Sequence, residues 1–168
     1  MKFVLVDKIE SIEPSRRIVT RKALSLAEEY LGDHFPAFPV LPGVLMIESL
    51  VQASAWLTRV HQKFSRSMIV LSSARNVRYA SFVQPGEMLR CEIDAVEIGE
   101  DSARFKGSGF VDDRLTVTAR LDLKCFNLVD RQKHLAGADE HIIKQMRERF
   151  ELIGGPSALA CAQSDGDR

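Results

Sequence analysis

The sequence predicts an α+β domain in which a curved antiparallel sheet wraps around one buried helix. Three observations lead there. The segment Val44 to Leu57 is apolar at ten of its 14 positions, too apolar for a helix lying on a surface. After Met68 the chain is almost continuous two-residue alternation, the pattern of strands with one face buried. The helix also stands between two short early strands and three or four long later ones, and a sheet built from both sets has that helix to cover.

Each element follows from a local pattern. FVLVDKIESI and RRIVTRKAL are short apolar runs separated by Glu13, Pro14 and Ser15, so they read as two strands joined by a turn. Leu24 to Leu31 has room for a brief helical turn before Gly32. Pro42-Gly43 opens the apolar helix, which runs from Val44 to about His61. Met68 to Phe82 forms the next strand, ending near the turn signal Pro85-Gly86. Leu89, Cys91, Ile93 and Ala95 then alternate with Arg90, Glu92 and Asp94. Ala103, Phe105, Gly107 and Gly109 repeat the pattern, and past Asp112-Asp113 so do Leu115, Val117, Ala119, Leu121, Leu123 and Cys125.

The C-terminal part differs in character. Ile142, Ile143, Met146 and Phe150 fall at helical spacing among charged residues, giving an amphipathic helix stopped by Gly154-Gly155-Pro156. It is expected to dock on the outer face of the sheet or on an adjoining subunit. From Ser157 onward small and polar residues show no periodicity, so a disordered tail is expected. The domain reading is a sheet-and-helix domain over 1–130, a helical extension over 131–153 and the tail over 154–168.

Composition limits function. A chain of 168 residues, 45% hydrophobic and 27% charged, is one ordinary globular domain with enough chain for a core. Its 23 basic and 23 acidic residues cancel, so nucleic acid is not an expected partner. The apolar stretch before Asp7 is too short for a signal peptide, and no run approaches the roughly 18 apolar residues of a membrane span, which points to the cytoplasm. Cys91, Cys125 and Cys161 form no CxxC pair and are an odd count, against a disulfide framework or a structural zinc site. Cys91 and Cys125 read as inert core thiols. His61, His134 and His141 show no ligand spacing and read as solvated; no metal is expected.

One acid stands out. Between His34 and Arg59 the sole ionisable side chain is Glu48, in the middle of the apolar helix. An unpaired carboxylate in such a setting costs several kcal/mol or takes up a proton. It either shares a narrow polar stripe with Gln52, one turn on, or is tuned by burial for proton transfer. Pro36, Pro39 and Pro42 stiffen the segment that carries His34, and the helix start at Gly43 offers unpaired N–H groups suited to a developing oxyanion. A histidine on a stiff strap, a bare helix N-terminus and one acid on that helix together favour general acid/base chemistry.

These same residues carry a resemblance. HFPAFPVLPGVLMIESLVQ, residues 34–52, closely resembles the HFPGxPVMPGVLxxExxAQ signature of the 3-hydroxyacyl-acyl-carrier-protein dehydratases, the FabZ and FabA group of the hotdog fold. FVLVDKI resembles that family's first strand, NVRYASFVQPGEML its VRFxRPVxPGDxL segment, and RFKGSGFVDDRLTVTARL its last hairpin. Coverage runs from about Phe3 to Phe126.

The resemblance implies a hotdog homodimer, with trimers of dimers open, whose sites take the histidine of one subunit and the glutamate of the other: His34 and Glu48 here. It implies removal of water from a 3-hydroxyacyl thioester on phosphopantetheine, carried by acyl carrier protein or coenzyme A, with no metal or redox cofactor. On this sequence His34 would take the C2 proton, N–H groups near Gly43 and Val44 would hold the thioester oxygen, and protonated Glu48 would release the hydroxyl as water. Phe38, Pro39 and Gln52 are the further substrate-binding positions. The chain departs from the family with Asp33 and Ala37 where glycines are usual, and with Ala80, Ser81 and Phe82 where a basic residue and proline are usual; Arg75 and Arg78 are the nearby basic residues. Two other readings stay open: a hotdog thioesterase, which needs an acid that activates water, and a non-catalytic acyl-binding or assembly subunit.

Overall fold

The structure is a computed structural model describing residues 3–35 and 37–165, with backbone alone for 162–165. Strands β1 (Lys8–Glu13) and β2 (Arg17–Ala23) form the early hairpin, and a single 3-10 turn (Glu29–Leu31) precedes Gly32. Helix α1 (Gly43–His61) follows, then β3 (Met68–Tyr79), β4 (Met88–Ile98), β5 (Ser102–Val111) and β6 (Arg114–Phe126). In space the order is β1-β2-β4-β5-β6-β3, antiparallel throughout. β1 and β3 are therefore the edges. α1 packs against β2, β3, β4, β5 and β6, which requires the sheet to curve around it.

The core is the space between that helix and the sheet. Leu50, Ala53 and Leu57 of α1 are fully buried in one cluster with Ile18, Ile93, Phe105 and Leu121. Each large side chain removed from water this way stabilises the fold by roughly 1.5–3 kcal/mol. Gly107 sets how closely the helix approaches: a β-carbon there would lie 3.1 Å from Ile93 and 3.2 Å from Leu50, so α1 rests on bare backbone at that point. Three buried hydroxyls in α1 avoid an unpaired cost by donating to carbonyls four residues back: Ser49 to Leu45 at 2.9 Å, Ser54 to Leu50 at 2.8 Å and Thr58 to Ser54 at 2.9 Å. Burial pushes the Cys91 thiol up to about 12, as suits an inert core residue.

The expected alternation of β6 slips at its start. Leu115 is turned outward while Thr116 is buried, because the β5–β6 register shifts between Gly109 and Phe110. The Thr116 hydroxyl is satisfied by donating to the Gly109 carbonyl at 2.9 Å.

The C-terminal extension corrects two expectations. After 3-10 turns at Leu128–Asp130 and Lys133–Leu135, helix α2 (Ala136–Leu152) covers the side of α1 that the sheet leaves open, not the sheet's outer face. Phe150 sits 5.9 Å from Trp56 and 5.5 Å from Phe64, ring centre to ring centre, within the main core. Trp56 on α1 and Phe64 just beyond it are both buried, and Phe150 from the apolar stripe of α2 packs against each. As far as Asp165 the tail is also not irregular, and residues 166–168 lie outside the described residues. Gly154, at φ 84°, reverses the chain, and α3 (Gly155–Asp165) packs against β1 with Ala158 buried. Gly155 lies so close to the Phe150 ring that a β-carbon would collide with it, so the small residues that looked uninformative permit close packing. The N–H of Ile9 donates to the carbonyl of Ile153 at 2.9 Å, tying β1 to the extension. Among the described residues no helix is long and apolar enough to cross a membrane.

Candidate active site

The strap before α1 is anchored on both sides of His34. Leu31 is buried ahead of it, and Val40 and Leu41 are buried behind, with the Leu41 N–H donating to the Val83 carbonyl at 2.9 Å. That bond couples the strap to the β3–β4 connection. Between the anchors the backbone turns sharply: Phe35 adopts φ 51°, in the left-handed region, and its carbonyl accepts from the Phe38 N–H at 2.8 Å. A phenylalanine there costs of order 1–3 kcal/mol, a strain found most often at functional sites. Pro36 lies outside the described residues.

This turn presents a half-buried His34, whose ring meets that of Phe35 edge-on at 4.5 Å. His34 lines a cavity of about 290 Å³ together with Gly43 and Met46 of α1 and residues 79–82 at the end of β3. Gly43 is needed there, because a β-carbon would stand 2.9 Å from the Tyr79 ring. The start of α1, whose first N–H groups have no intrahelical acceptor, thus borders the histidine's cavity at Gly43. Phe38 is half exposed and stacks edge-on against Phe82 at 5.7 Å; Pro39 is partly buried beside it.

Glu48 stands elsewhere. It does not border the His34 cavity and is only half buried, on the face of α1 that also carries Val44, 72% exposed, and Gln52. The Gln52 amide donates to the Glu48 carboxylate at 3.0 Å and to the Phe3 carbonyl at 3.1 Å, while its oxygen accepts from the Leu5 N–H at 2.9 Å. The acid is therefore not driven into the core as its apolar neighbours suggest. Leu50 is two residues from both Glu48 and Gln52, roughly half a turn, so the same helix buries one side and offers a polar line on the other. Of the expected site residues, the fold brings His34 and Gly43 into one cavity and places Val44, Glu48 and Gln52 together on an uncovered face.

Tyr79, Met46 and Arg114 were not legible as site residues. Tyr79 and Met46 line the cavity; both lie within segments that resemble the family's motifs, where neither was given a role. Arg114, the first residue of β6, bonds the Ser81 hydroxyl, the Phe82 carbonyl at 3.1 Å and Glu87 at 2.7 Å. It returns a guanidinium to the loop whose own sequence lacks one. The sole signal for it was the hairpin turn at Asp112-Asp113. Among the other histidines, His61 is 2.7 Å from the Ser15 hydroxyl and His141 is 2.9 Å from Gln145. No group of three His, Cys, Asp or Glu among the described residues is placed to hold a metal.

Comparison with known proteins agrees with this architecture. A family profile for the FabA-like domain matches residues 1–120. The 3-hydroxyacyl-[acyl-carrier-protein] dehydratase FabZ of Symbiobacterium thermophilum is 33% identical over 128 residues, spanning 76% of this chain and 88% of the relative. The enzyme of the same name from Pelotomaculum thermopropionicum is 34% identical over 119 residues, 71% of this chain and 85% of the relative. In fold, the dehydratase heterocomplex ApeI:P from Xenorhabdus doucetiae superposes with a TM-score of 0.63 at 22% identity, covering 79% of this chain and 90% of that one. The sheet-wrapped helix, the strap with His34 and the profile match over most of the chain lead to one assignment: this protein belongs to the FabA-like family of hotdog-fold 3-hydroxyacyl-[acyl-carrier-protein] dehydratases.

Proposed function

We propose that the protein dehydrates a 3-hydroxyacyl thioester to the trans-2-enoyl thioester, at sites that combine His34 of one subunit with Glu48 of a second. The observation that carries this reading is the division of the pair: His34 lines a cavity that Glu48 does not reach, while Glu48 lies on an uncovered face of α1. A second copy supplies what each chain lacks. Edge strand β3 favours such pairing, since Val70, Leu71, Val77 and Tyr79 on it are 36–51% exposed, and an open edge with apolar side chains is a template for another strand.

The chemistry runs from the residues. His34 accepts the C2 proton, and the electron pair moves into the thioester carbonyl. The N–H groups of Gly43 and Val44 stabilise the resulting enolate oxygen, aided by the positive end of the α1 dipole. As the enolate collapses, the C2–C3 double bond forms, the C3–O bond breaks, and the proton of Glu48 leaves with the hydroxyl as water. Gln52 orients the Glu48 carboxyl through the 3.0 Å bond, and Phe38, Pro39 and Val44 border the approach. The acyl group arrives on the phosphopantetheine of an acyl carrier protein, and no further cofactor is needed. Arg78 and Arg114, both exposed near the cavity mouth, suit an acidic carrier.

The test is incubation of purified protein with a 3-hydroxyacyl thioester, following enoyl formation by absorbance and thiol release by a colour reagent. Dehydration without thiol release is expected. His34→Ala and Glu48→Gln should each lower the rate by roughly two to four orders of magnitude at unchanged melting temperature. Thiol release in place of enoyl formation would make it a thioesterase, and neither product would leave an acyl-binding subunit.

A further inference from the structure

Past Glu48 the same side of α1 continues through Gln52, Ala55 and Trp56, and these three border a second cavity of about 160 Å³. Phe3 closes one side of it and Met146 of α2 another. Gln52 belongs to both places, bonding Glu48 with its amide while forming cavity wall. Its hydrogen-bonding groups are taken up by Glu48, Phe3 and Leu5, so it makes no polar demand on what enters. Arg59 also borders this space, but its guanidinium donates to the carbonyls of Arg66 at 3.0 Å and Ser67 at 3.2 Å. Its aliphatic stem can then serve as wall. The other side chains around Met146 are apolar, apart from the half-exposed Arg149.

The spacing fits an acyl chain. Eight residues separate Glu48 from Trp56, about 12 Å along a helix that rises 1.5 Å per residue. A chain whose C3 hydroxyl lies at Glu48 and whose tail runs along this face reaches Trp56 and Met146. α2, at Ala136–Leu152, lies beyond the family profile, which ends at residue 120. The wall it contributes is therefore additional to the matched domain.

We propose that this cavity receives the distal end of the acyl chain and that Met146 sets the longest chain accepted, an inference that rests on the dehydratase reading above. Methionine suits the position, since its unbranched thioether fills an irregular apolar gap and yields to different occupants.

The test compares kcat/KM for short-chain and long-chain 3-hydroxyacyl thioesters in the full-length protein and in Met146→Ala and Met146→Trp. Enlarging the site should raise the long-to-short ratio by about tenfold or more, and filling it should lower the ratio by a similar factor, the scale on which apolar pockets discriminate methylenes. Melting temperatures identify a variant that fails to fold, and Met146→Phe then takes the place of the tryptophan. A second measurement does not depend on turnover: in Met146→Cys, alkylation at residue 146, read by mass spectrometry, should be slowed by a saturated long-chain acyl thioester and not by a short one. Unchanged ratios in folded variants, or alkylation indifferent to chain length, overturn the proposal while leaving the dehydratase reading intact. A wild type that forms no enoyl product from any thioester overturns that reading instead, whatever the alkylation shows.

Discussion

Tyr79 covers the first residue of α1 so closely that Gly43 has no room for a side chain, the nearest ring atom standing 2.9 Å from an added β-carbon. The obstacle is the end of a half-exposed side chain, so the ring can yield at small cost to the fold. Its displacement would instead alter the cavity beside His34. Gly43→Ala is therefore expected to leave the melting temperature within a few degrees of wild type while lowering kcat/KM about tenfold or more. Tyr79→Ala in the same chain should recover part of that loss, because the pair is in contact and their effects cannot add independently. Equal losses in the single and double variants, measured by steady-state kinetics, would show that Gly43 acts without Tyr79.

α2 owes its place to a few anchors, since a helix of its length is marginal alone in water. Phe150 is one. Asp139 is the other: only 6% exposed, it accepts the Ser67 hydroxyl and the N–H groups of Leu128 at 2.8 Å and Val129 at 2.9 Å. Burial alone would raise its pKa, but the bonds from Ser67, Val129 and Leu128 outweigh it and hold the carboxyl below its ordinary value of 3.8. The folded pKa being depressed, the stability it contributes is present above the unfolded value and is lost as pH falls through the folded one. Asp139→Ala should cost about 1–3 kcal/mol at neutral pH through the two orphaned N–H groups. The difference in melting temperature between variant and wild type should shrink below about pH 4. A gap that stays constant through the acid range would mean that the charge of Asp139 plays no part.

At the level of the whole molecule, the proposed pairing of His34 from one subunit with Glu48 from a second predicts that activity is a property of an assembly. Inactive His34→Ala and Glu48→Gln chains, mixed within one dimer, should form one intact site and one doubly defective site. Co-expressed and purified through two different tags, such a heterodimer is expected to show up to about half of wild-type activity, far above either parent. Activity no higher than the parents in a proven heterodimer would place both groups in a single chain's site.

Short-range pattern was enough to read the helix, the strands and the candidate pair His34 and Glu48: apolar density over Val44 to Leu57, alternation after Leu89, and the His34 to Gln52 motif. Periodicity says which side of an element is apolar, and that was enough for a sheet around a helix. It does not say what lies opposite. That Glu48 faces outward with Gln52, that Tyr79 roofs Gly43, and that Arg114 reaches the loop at Ser81 were decided only when distant segments met. The C-terminal region shows the same division. Its first helix was written in the spacing of Ile142 to Phe150, yet its contact with Trp56 and Phe64 joins segments about ninety residues apart and carries no local signal. The glycines and alanines after Ile153 carry no periodic signal of their own. Their small size acquires meaning only against β1 and the Phe150 ring, where close approach is what allows α3 to form.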